Sequence, residues 1–171
     1  MKTYEKWLFK DTNLEGVKKI TPTAFEDHRG TYVEIYNKDF MKENGVELNF
    51  IQDDISVSYK NVLRGIHGDK KTYKLVSCLY GEFQLIVVNN DPESSQFKKW
   101  QSFDMSFRNR SQILIPPKFG NGHLVLSETA IFHYKQNTQY DRNSQFTIKW
   151  NDPLYKFEWK SNSPILSDRD R

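Results

Sequence analysis

Short β-patterned runs, each closed by a turn signal, follow one another along almost the whole of this 171-residue chain. Clusters such as HRG, YKN, NNDPESS and PPKFGNG mark the turns. Many short strands at close spacing are typical of a β-sandwich or barrel, so we predict an all-β fold, an antiparallel double sheet of the jelly-roll type. Only two stretches look helical, Lys38–Asn44 and the first dozen residues. The predicted strands are Val17–Pro22, Gly30–Tyr36, Asn49–Tyr59, Val62–Ile66, Lys74–Leu79, Glu82–Val88, Lys98–Met105, Gln112–Ile115, Gly122–Leu126, Ala130–Lys135 and Phe146–Trp150.

The bulk properties favour one domain, over residues 1–171, in the cytoplasm. The formal net charge is only +3 and the charges do not cluster, which argues against nucleic-acid binding but suits a small anionic substrate. The N-terminus has no apolar stretch long enough for a signal peptide, and no run approaches a membrane span. The single cysteine, Cys78, excludes an internal disulfide, and its apolar neighbours predict a buried structural thiol.

Several predicted strands are apolar on both faces, such as the one that contains Leu85–Val88, which reads LIVV. Such a strand must be covered on both sides, either by a second sheet or by a partner subunit. The pattern therefore fits a sandwich and makes a homodimer plausible.

Basic side chains stand in or beside two of the predicted strands. The segment Val62–Glu82 carries Arg64, His67 and Lys74 and contains a turn at Gly81. Because burying an unpaired cation is costly, several of them on core-like strands indicate a polar pocket inside the barrel. A histidine at the end of a strand can be a base, a metal ligand or a satisfied core group. The neighbouring lysine favours a pocket that holds a base and a cation.

A metal site is the main rival interpretation of His67. A catalytic metal needs three or more ligands. The chain has four histidines but no His-x-His pair, and the nearest approach to a ligand pair is His67 with Asp69, so we predict no metal. Tyr134 shares a strand face with Phe132 and is either a packing residue or, at the border of the pocket, a proton donor.

Seven motifs stand in order along the chain: FEDHRGTYVEIY, FIQDDISVSYKNVLRGIHGD, KLVSCLYGE, IPPKFGNGHLVLSE, HYKQNTQY, IKWNDP and PILSDRD. Together they resemble the dTDP-4-dehydrorhamnose 3,5-epimerase family over Phe25 to Asp170. The variants RGIHGD and GNGHLVLS look like the branch that epimerises GDP-linked 4-keto-heptoses for capsule polysaccharides.

This resemblance implies a cupin-type jelly roll that works as a homodimer, with no metal and no redox cofactor. Its substrate would be a nucleotide-diphospho-4-keto-6-deoxy sugar. The C4 ketone acidifies the C–H bonds at C3 and C5, so a base can remove a proton to give an enolate and an acid can return one to the opposite face. The predicted function is epimerisation of a GDP-4-keto-heptose at C3, C5 or both.

The resemblance also implies roles for individual residues. His67 would be the base and Asp170 its carboxylate partner. Lys74 would stabilise the enolate oxygen, and Tyr134 would donate the proton on the far face. Arg64 would meet the diphosphate, because a planar guanidinium suits two anionic oxygens. The residues expected to bind substrate are Arg29, Glu34, Gln52, Asp53, Asp54, Arg64, Asn121, Gln145 and Arg169.

Four of these positions depart from the common family pattern. Asp54 stands where an asparagine is usual, and Asn121 where a histidine is common. Gln145 replaces a glutamate and Arg169 a lysine. These departures argue against plain dTDP-rhamnose synthesis. Three alternatives remain open: a dTDP-4-keto-6-deoxyhexose 3,5-epimerase, a 3,4-ketoisomerase on the same fold, and a non-catalytic module that binds sugar nucleotides.

Overall fold

The computed structural model describes residues 2–4 and 7–171. Helix α1 spans Lys38–Glu43, and a 3₁₀ turn spans Arg142–Ser144. The strands are β1 (Lys2–Tyr4), β2 (Leu8–Asp11), β3 (Lys18–Thr21), β4 (Ala24–Asp27), β5 (Gly30–Val33), β6 (Gln52–Tyr59), β7 (Leu63–Gly68), β8 (Lys74–Tyr80), β9 (Glu82–Asn89), β10 (Trp100–Ser106), β11 (Gln112–Ile115), β12 (Phe119–Val125), β13 (Thr129–Gln136) and β14 (Phe146–Thr147).

These strands form three antiparallel sheets. One has five strands in the order β10-β9-β12-β7-β14, and another has six in the order β2-β3-β11-β8-β13-β6. A small sheet has the order β1-β4-β5. The predicted all-β fold, an antiparallel double sheet of the jelly-roll type, is confirmed.

The main hydrophobic core lies between the two larger sheets. The six-stranded sheet contributes Val76 and Phe132, and the five-stranded sheet contributes Phe83 and Met105. Each of these side chains is at most 5% exposed. Burial of apolar side chains from two facing sheets is the main stabilising contribution in a sandwich.

The strand that is apolar on both faces, β9, is covered from two directions. Leu85 and Val87 belong to the main core between the sheets. Ile86 and Val88 belong to a second cluster, on the opposite side of β9. Aromatic side chains of the C-terminal segment pack against that second cluster: Tyr155, Phe157 and Trp159. The chain itself therefore covers both faces of β9, and the LIVV run is no argument for a partner subunit.

The helix predicted in the first dozen residues is wrong. The described parts of that stretch form β1 and β2, while residues 1, 5 and 6 lie outside the described residues. Strand β2 pairs with β3 from Leu8 opposite Thr21 to Asp11 opposite Lys18. Pairing with a neighbour decides the conformation of a short segment such as LFKD, whose own pattern is weak.

Helix α1 confirms the other helical prediction, and it ends one residue earlier than predicted. The side-chain oxygen of Asn37 accepts hydrogen bonds from the backbone N–H groups of Asp39 and Phe40, which caps the first turn. Met41 is buried in a third cluster together with Leu75 of β8. The helix thus packs onto the six-stranded sheet.

Some strand boundaries also differ from the predictions. Strand β4 was not predicted, and β12 begins at Phe119, three residues before the predicted start, because Phe119 pairs with Asn89. Strand β14 keeps only the first two residues of the predicted Phe146–Trp150. Within residues 2–4 and 7–171, no helix is both long and apolar enough to span a membrane.

Candidate active site

A cavity of about 500 Å³ opens between the two larger sheets. Strands β6, β8 and β13 line it from one sheet and β7 and β12 from the other. The loop around the 3₁₀ turn and the C-terminal residues 167–170 line the rest of the cavity. The pocket predicted from basic side chains on core strands is therefore present.

His67 and Asp170 form a close pair in this cavity. Nε2 of His67 lies 2.7 Å from Oδ1 of Asp170, although 103 residues separate them in the chain. The Asp170 side chain is 4% exposed and that of His67 is 21% exposed. Burial acts to raise the pKa of Asp170, but the hydrogen bonds from His67 and Ser167 outweigh it and hold that pKa below its usual range. The carboxylate is therefore charged at neutral pH beside the imidazole.

The C-terminal segment reaches His67 because backbone contacts attach it to the start of β7. Val62 bridges to Ile165, and the N–H of Leu63 donates to the carbonyl of Ile165 at 3.0 Å. A turn follows, in which the N–H of Asp170 donates to the carbonyl of Ser167 at 3.1 Å. The hydroxyl of Ser167 also donates to Oδ2 of Asp170 at 2.9 Å. These bonds fix the carboxylate that faces the histidine.

Lys74, the first residue of β8, is a buried cation at the cavity wall. Its Nζ donates to Oδ1 of Asn121 at 3.3 Å. Burial lowers the pKa of Lys74 to about 8; the nearby charge of Asp69 opposes this shift, and that of Arg169 adds to it. Because this pKa lies only a little above neutral pH, most of the amine is charged at pH 7, and a small rise in pH neutralises it.

Close packing of β7 against β12 brings His67 and Asn121 side by side. The two residues are direct partners in the strand register. Gly65 has φ +112°, and a Cβ there would lie 2.6 Å from the Cα of Gly122. Only glycine combines that backbone angle with so close an approach. The local sequence RGIHG thus lets the histidine strand pack against the strand that carries Asn121.

Tyr134 lies on β13, opposite Asp54 of β6, and both side chains line the cavity. Its ring packs 5.7 Å from the ring of Phe132. Burial raises the pKa of Tyr134, and the charge of Asp54 raises it further. The phenol therefore keeps its proton across the physiological range, as a proton donor must.

Five residues predicted to bind substrate line the same cavity: Asp54, Arg64, Asn121, Gln145 and Arg169. Arg64 is held by a hydrogen bond from its Nε to Oγ of Ser58 at 3.0 Å. Arg169 donates from Nη2 to Oε1 of Gln145 at 3.1 Å. Arg142 also lines the cavity, which thus offers three guanidinium groups to an anionic ligand.

Four other residues predicted to bind substrate lie outside this cavity. Arg29 is on the hairpin of β4 and β5, where it pairs with Asp27 at 2.6 Å and its side chain is 78% exposed. The remaining three are held by neighbours elsewhere. Glu34 accepts a hydrogen bond from Nε1 of Trp7. Gln52 donates to Asp54 at 2.8 Å and accepts from the backbone N–H of Tyr140 at 2.9 Å, so it contacts two residues that line the cavity without lining it itself.

Asp53 points away from the cavity because successive side chains of a strand face opposite sides of the sheet. Its carboxylate lies 2.8 Å from Nζ of Lys135 and 3.2 Å from Nε2 of His133. Burial acts to raise the pKa of Asp53, but these two partners outweigh it and lower that pKa. Asp53 thus stabilises the opposite face of the sheet.

The cavity also contains residues that sequence reasoning did not select. Tyr140 and Arg142 come from the loop before β14, and Ser167 comes from the C-terminal turn. Buried His123 lies on β12. Ser167 stands in the same LSDRD motif as Asp170, so its position near the carboxylate could have been suspected. Nothing in the pattern around His123 distinguishes it from a core residue.

The arrangement offers the groups that proton transfer beside a carbonyl requires. A histidine with a carboxylate partner can take a proton, a buried ammonium can stabilise an oxyanion, and a protonated phenol can return a proton. In the part of the chain that the structure describes, no three His, Cys, Asp or Glu side chains are grouped as metal ligands.

Comparison with known families identifies the chain's relatives. A family model described as dTDP-4-dehydrorhamnose 3,5-epimerase matches residues 11–171. The chain belongs to the dTDP-4-dehydrorhamnose 3,5-epimerase family. It is therefore an enzyme of the isomerase class. The dTDP-4-dehydrorhamnose 3,5-epimerase of Shigella flexneri is 37% identical to it over 163 residues, which are 93% of this chain and 90% of the relative.

Solved structures of two family members match the fold over nearly its whole length. The dTDP-4-dehydrorhamnose 3,5-epimerase from Bacillus anthracis str. Ames, with TDP and PPi bound, gives a TM-score of 0.93 at 32% identity and covers 97% of both chains. The dTDP-6-deoxy-D-glucose-3,5-epimerase from Legionella pneumophila Philadelphia 1, in complex with dTDP-4-keto-L-rhamnose, gives 0.92 at 33% identity and covers 96% of this chain and 90% of that one.

These comparisons also bear on the predicted branch. The relatives named above are epimerases of dTDP-linked sugars. They support the predicted family and reaction class, but they give no support to the predicted branch acting on GDP-4-keto-heptoses or to a role in capsule synthesis. The dTDP alternative fits them better.

Proposed function

We propose that this enzyme inverts C3 and C5 of a dTDP-4-keto-6-deoxyhexose through an enolate. The observation that carries the proposal is the convergence of four groups on one cavity: His67 with Asp170, Lys74, and Tyr134. Family membership supports the reaction class.

In the first step, His67 removes the proton from the carbon beside the C4 ketone. Its Nε2 lies against the Asp170 carboxylate, which holds the ring proton on that nitrogen and leaves Nδ1 as the acceptor. The carboxylate also stabilises the imidazolium that forms. As negative charge develops on the ketone oxygen, the ammonium of Lys74 stabilises it.

In the second step, Tyr134 donates its proton to the opposite face of the same carbon. The phenol is fully protonated at neutral pH, because burial raises its pKa. General acid catalysis of this kind contributes about 10²–10⁴-fold in rate. A proton from solvent then returns to the Tyr134 phenolate, and the His67 imidazolium releases its proton to solvent, so the enzyme is ready for the next substrate.

The dTDP nucleotide is preferred over GDP in this proposal because dTDP is the nucleotide of the relatives named above. Arg64 and Arg169 would bind the diphosphate, since guanidinium groups suit its paired oxygens. The cytoplasmic location remains a prediction from the sequence.

The test is direct conversion followed by proton NMR. Purified enzyme is incubated separately with dTDP-4-keto-6-deoxyglucose and with GDP-4-keto-6-deoxy-heptose, and the configurations at C3 and C5 are read from the coupling constants. We expect epimerised product from the dTDP sugar. A carbonyl that has moved from C4 to C3 would instead indicate the ketoisomerase. Binding of the sugar nucleotide without any chemical change would indicate the non-catalytic module. Turnover of the GDP sugar alone would show that GDP, and not dTDP, is the nucleotide of the substrate.

We also propose that the enzyme acts as a homodimer. Strand β6 is an edge strand, and its outward side chains Ile55, Val57 and Tyr59 are 62%, 55% and 71% exposed. An edge strand with an uncovered apolar face is a common site of association. In a dimer, the exposed Arg29 of one subunit would contribute to the nucleotide site of the other.

A further inference from the structure

A second imidazole, that of His123, lines the cavity and has no part in the proton transfers proposed above. The residue is 4% exposed. Its Nε2 is buried and has no hydrogen-bond partner among the described residues. Such an atom costs free energy that an apolar side chain of the same shape would not cost. A ligand that bonds to it would remove this cost.

The ring of His123 is fixed at the reacting end of the cavity. It stacks on Phe132 with the ring centres 4.1 Å apart and the planes at 8°. Phe132 in turn packs against the proton donor Tyr134. On β12, His123 stands two residues after Asn121, the partner of Lys74, and therefore shares its face of the strand. The imidazole thus lies on the same cavity wall as groups that the proposed function assigns to the sugar.

The charge state of His123 suits a neutral ligand group. Burial lowers its pKa to about 3; the nearby charge of Arg64 adds to the shift, and that of Asp170 opposes it. The neutral ring has one nitrogen that donates and one that accepts. A sugar hydroxyl can do either, so it fits Nε2 in both tautomers.

We propose that His123 is a specificity-determining residue, whose Nε2 forms a hydrogen bond with a hydroxyl group of the substrate's sugar. This inference rests on the proposed function, because it needs a sugar nucleotide in the cavity. A site that hydrogen-bonds a substrate hydroxyl rejects an analogue without it, since the buried polar atom is then left unpaired. A phenylalanine in place of His123 would keep the stack on Phe132 and lose this discrimination.

The experiment compares wild type with His123→Phe on a set of 4-keto sugar nucleotides. The set contains dTDP-4-keto-6-deoxyglucose and its 2-deoxy and 3-deoxy analogues. It also contains an analogue in which one hydrogen of the C6 methyl group is replaced by a hydroxyl group. Deuterium exchange at C5 gives kcat/KM for each. We expect the wild type to favour the hydroxylated member of one pair by about tenfold or more, and His123→Phe to show less than about threefold for that pair.

Two further variants separate hydrogen bonding from structure. His123→Gln keeps a polar group at the position and should restore part of the discrimination. His133→Phe removes a buried imidazole from β13 on the side away from the cavity and should leave discrimination unchanged. Affinity for dTDP alone should be the same in wild type and His123→Phe.

Two results would overturn the proposal. One is a wild-type enzyme with the same kcat/KM for the parent sugar and for every analogue, a result that does not depend on whether any variant folds. The other is an active His123→Phe with the same selectivity as the wild type. Absence of any exchange by the wild type would instead count against the proposed function itself.

Discussion

At the scale of single residues, Lys74 is a buried cation whose charge should change near pH 8. Its pKa is lowered to about 8, mainly by burial. Above that pH the ammonium becomes a neutral amine, which stabilises an enolate oxygen less well. We therefore predict that kcat/KM falls as the pH rises through about 8.

Lys74→Met tests this prediction, because methionine fills similar space without a charge. We expect kcat to drop about 10²–10³-fold, as for the loss of an oxyanion donor elsewhere. The remaining kcat/KM of Lys74→Met should not fall as the pH rises through about 8. The measurement is kcat/KM from about pH 6 to pH 10 for both proteins, and a wild-type profile that stays flat to pH 10 would argue against the role of Lys74.

Tyr134 permits a second prediction, since it acts only after the first proton is removed. Tyr134→Phe should keep the exchange of the proton that His67 takes but lose most of the epimerised product, by about 10²-fold or more. Deuterium content and configuration are read from the same NMR spectrum. Equal loss of exchange and epimerisation would place Tyr134 in an earlier step. Tyr73→Phe, which removes a phenol hydroxyl from a residue that does not line the cavity, is the matched control.

At the scale of elements, the C-terminal segment matters because it delivers Asp170 to His67. We predict that Asp170→Asn lowers kcat by about 10²–10⁴-fold, because an amide no longer stabilises the imidazolium. Ser167→Ala should cause a smaller loss, since it removes one of the bonds that fix the carboxylate. Thermal unfolding monitors the fold of both variants. Unchanged kcat in Asp170→Asn would remove the carboxylate from the mechanism.

The elements also show what the sequence could predict. Strong apolar patterns, as in β8 and β9, predicted strands close to their observed positions. The short β2 and β4 escaped prediction because LFKD and AFED carry little pattern, and their partners β3 and β5 decide their conformation.

Some residues of the site could be predicted from local sequence and others could not. His67 and Lys74 could be selected because they are basic residues in or beside strands with a core-like pattern. Asp170 was predicted only from the family resemblance, because it lies 103 residues from its partner. The unpaired Nε2 of His123 depends on packing between distant strands, which no local pattern reveals.

At the scale of the whole molecule, the proposed dimer makes a prediction about subunit mixing. Arg29 lies outside the cavity of its own subunit. If it serves the partner's site, Arg29→Ala and His67→Asn should each be impaired, and their heterodimer should recover activity at the one site where both residues are intact. The measurement is turnover after the two proteins are unfolded and refolded together. No recovery in a mixture that forms heterodimers would contradict the shared site.

The central claim is that one cavity removes and returns protons beside a C4 ketone, with His67 as the base. The most direct test is NMR of dTDP-4-keto-6-deoxyglucose incubated with enzyme in deuterated buffer. The account predicts deuterium at C3 and C5 with wild type and none above background with His67→Asn. Exchange by His67→Asn at the wild-type rate would contradict it.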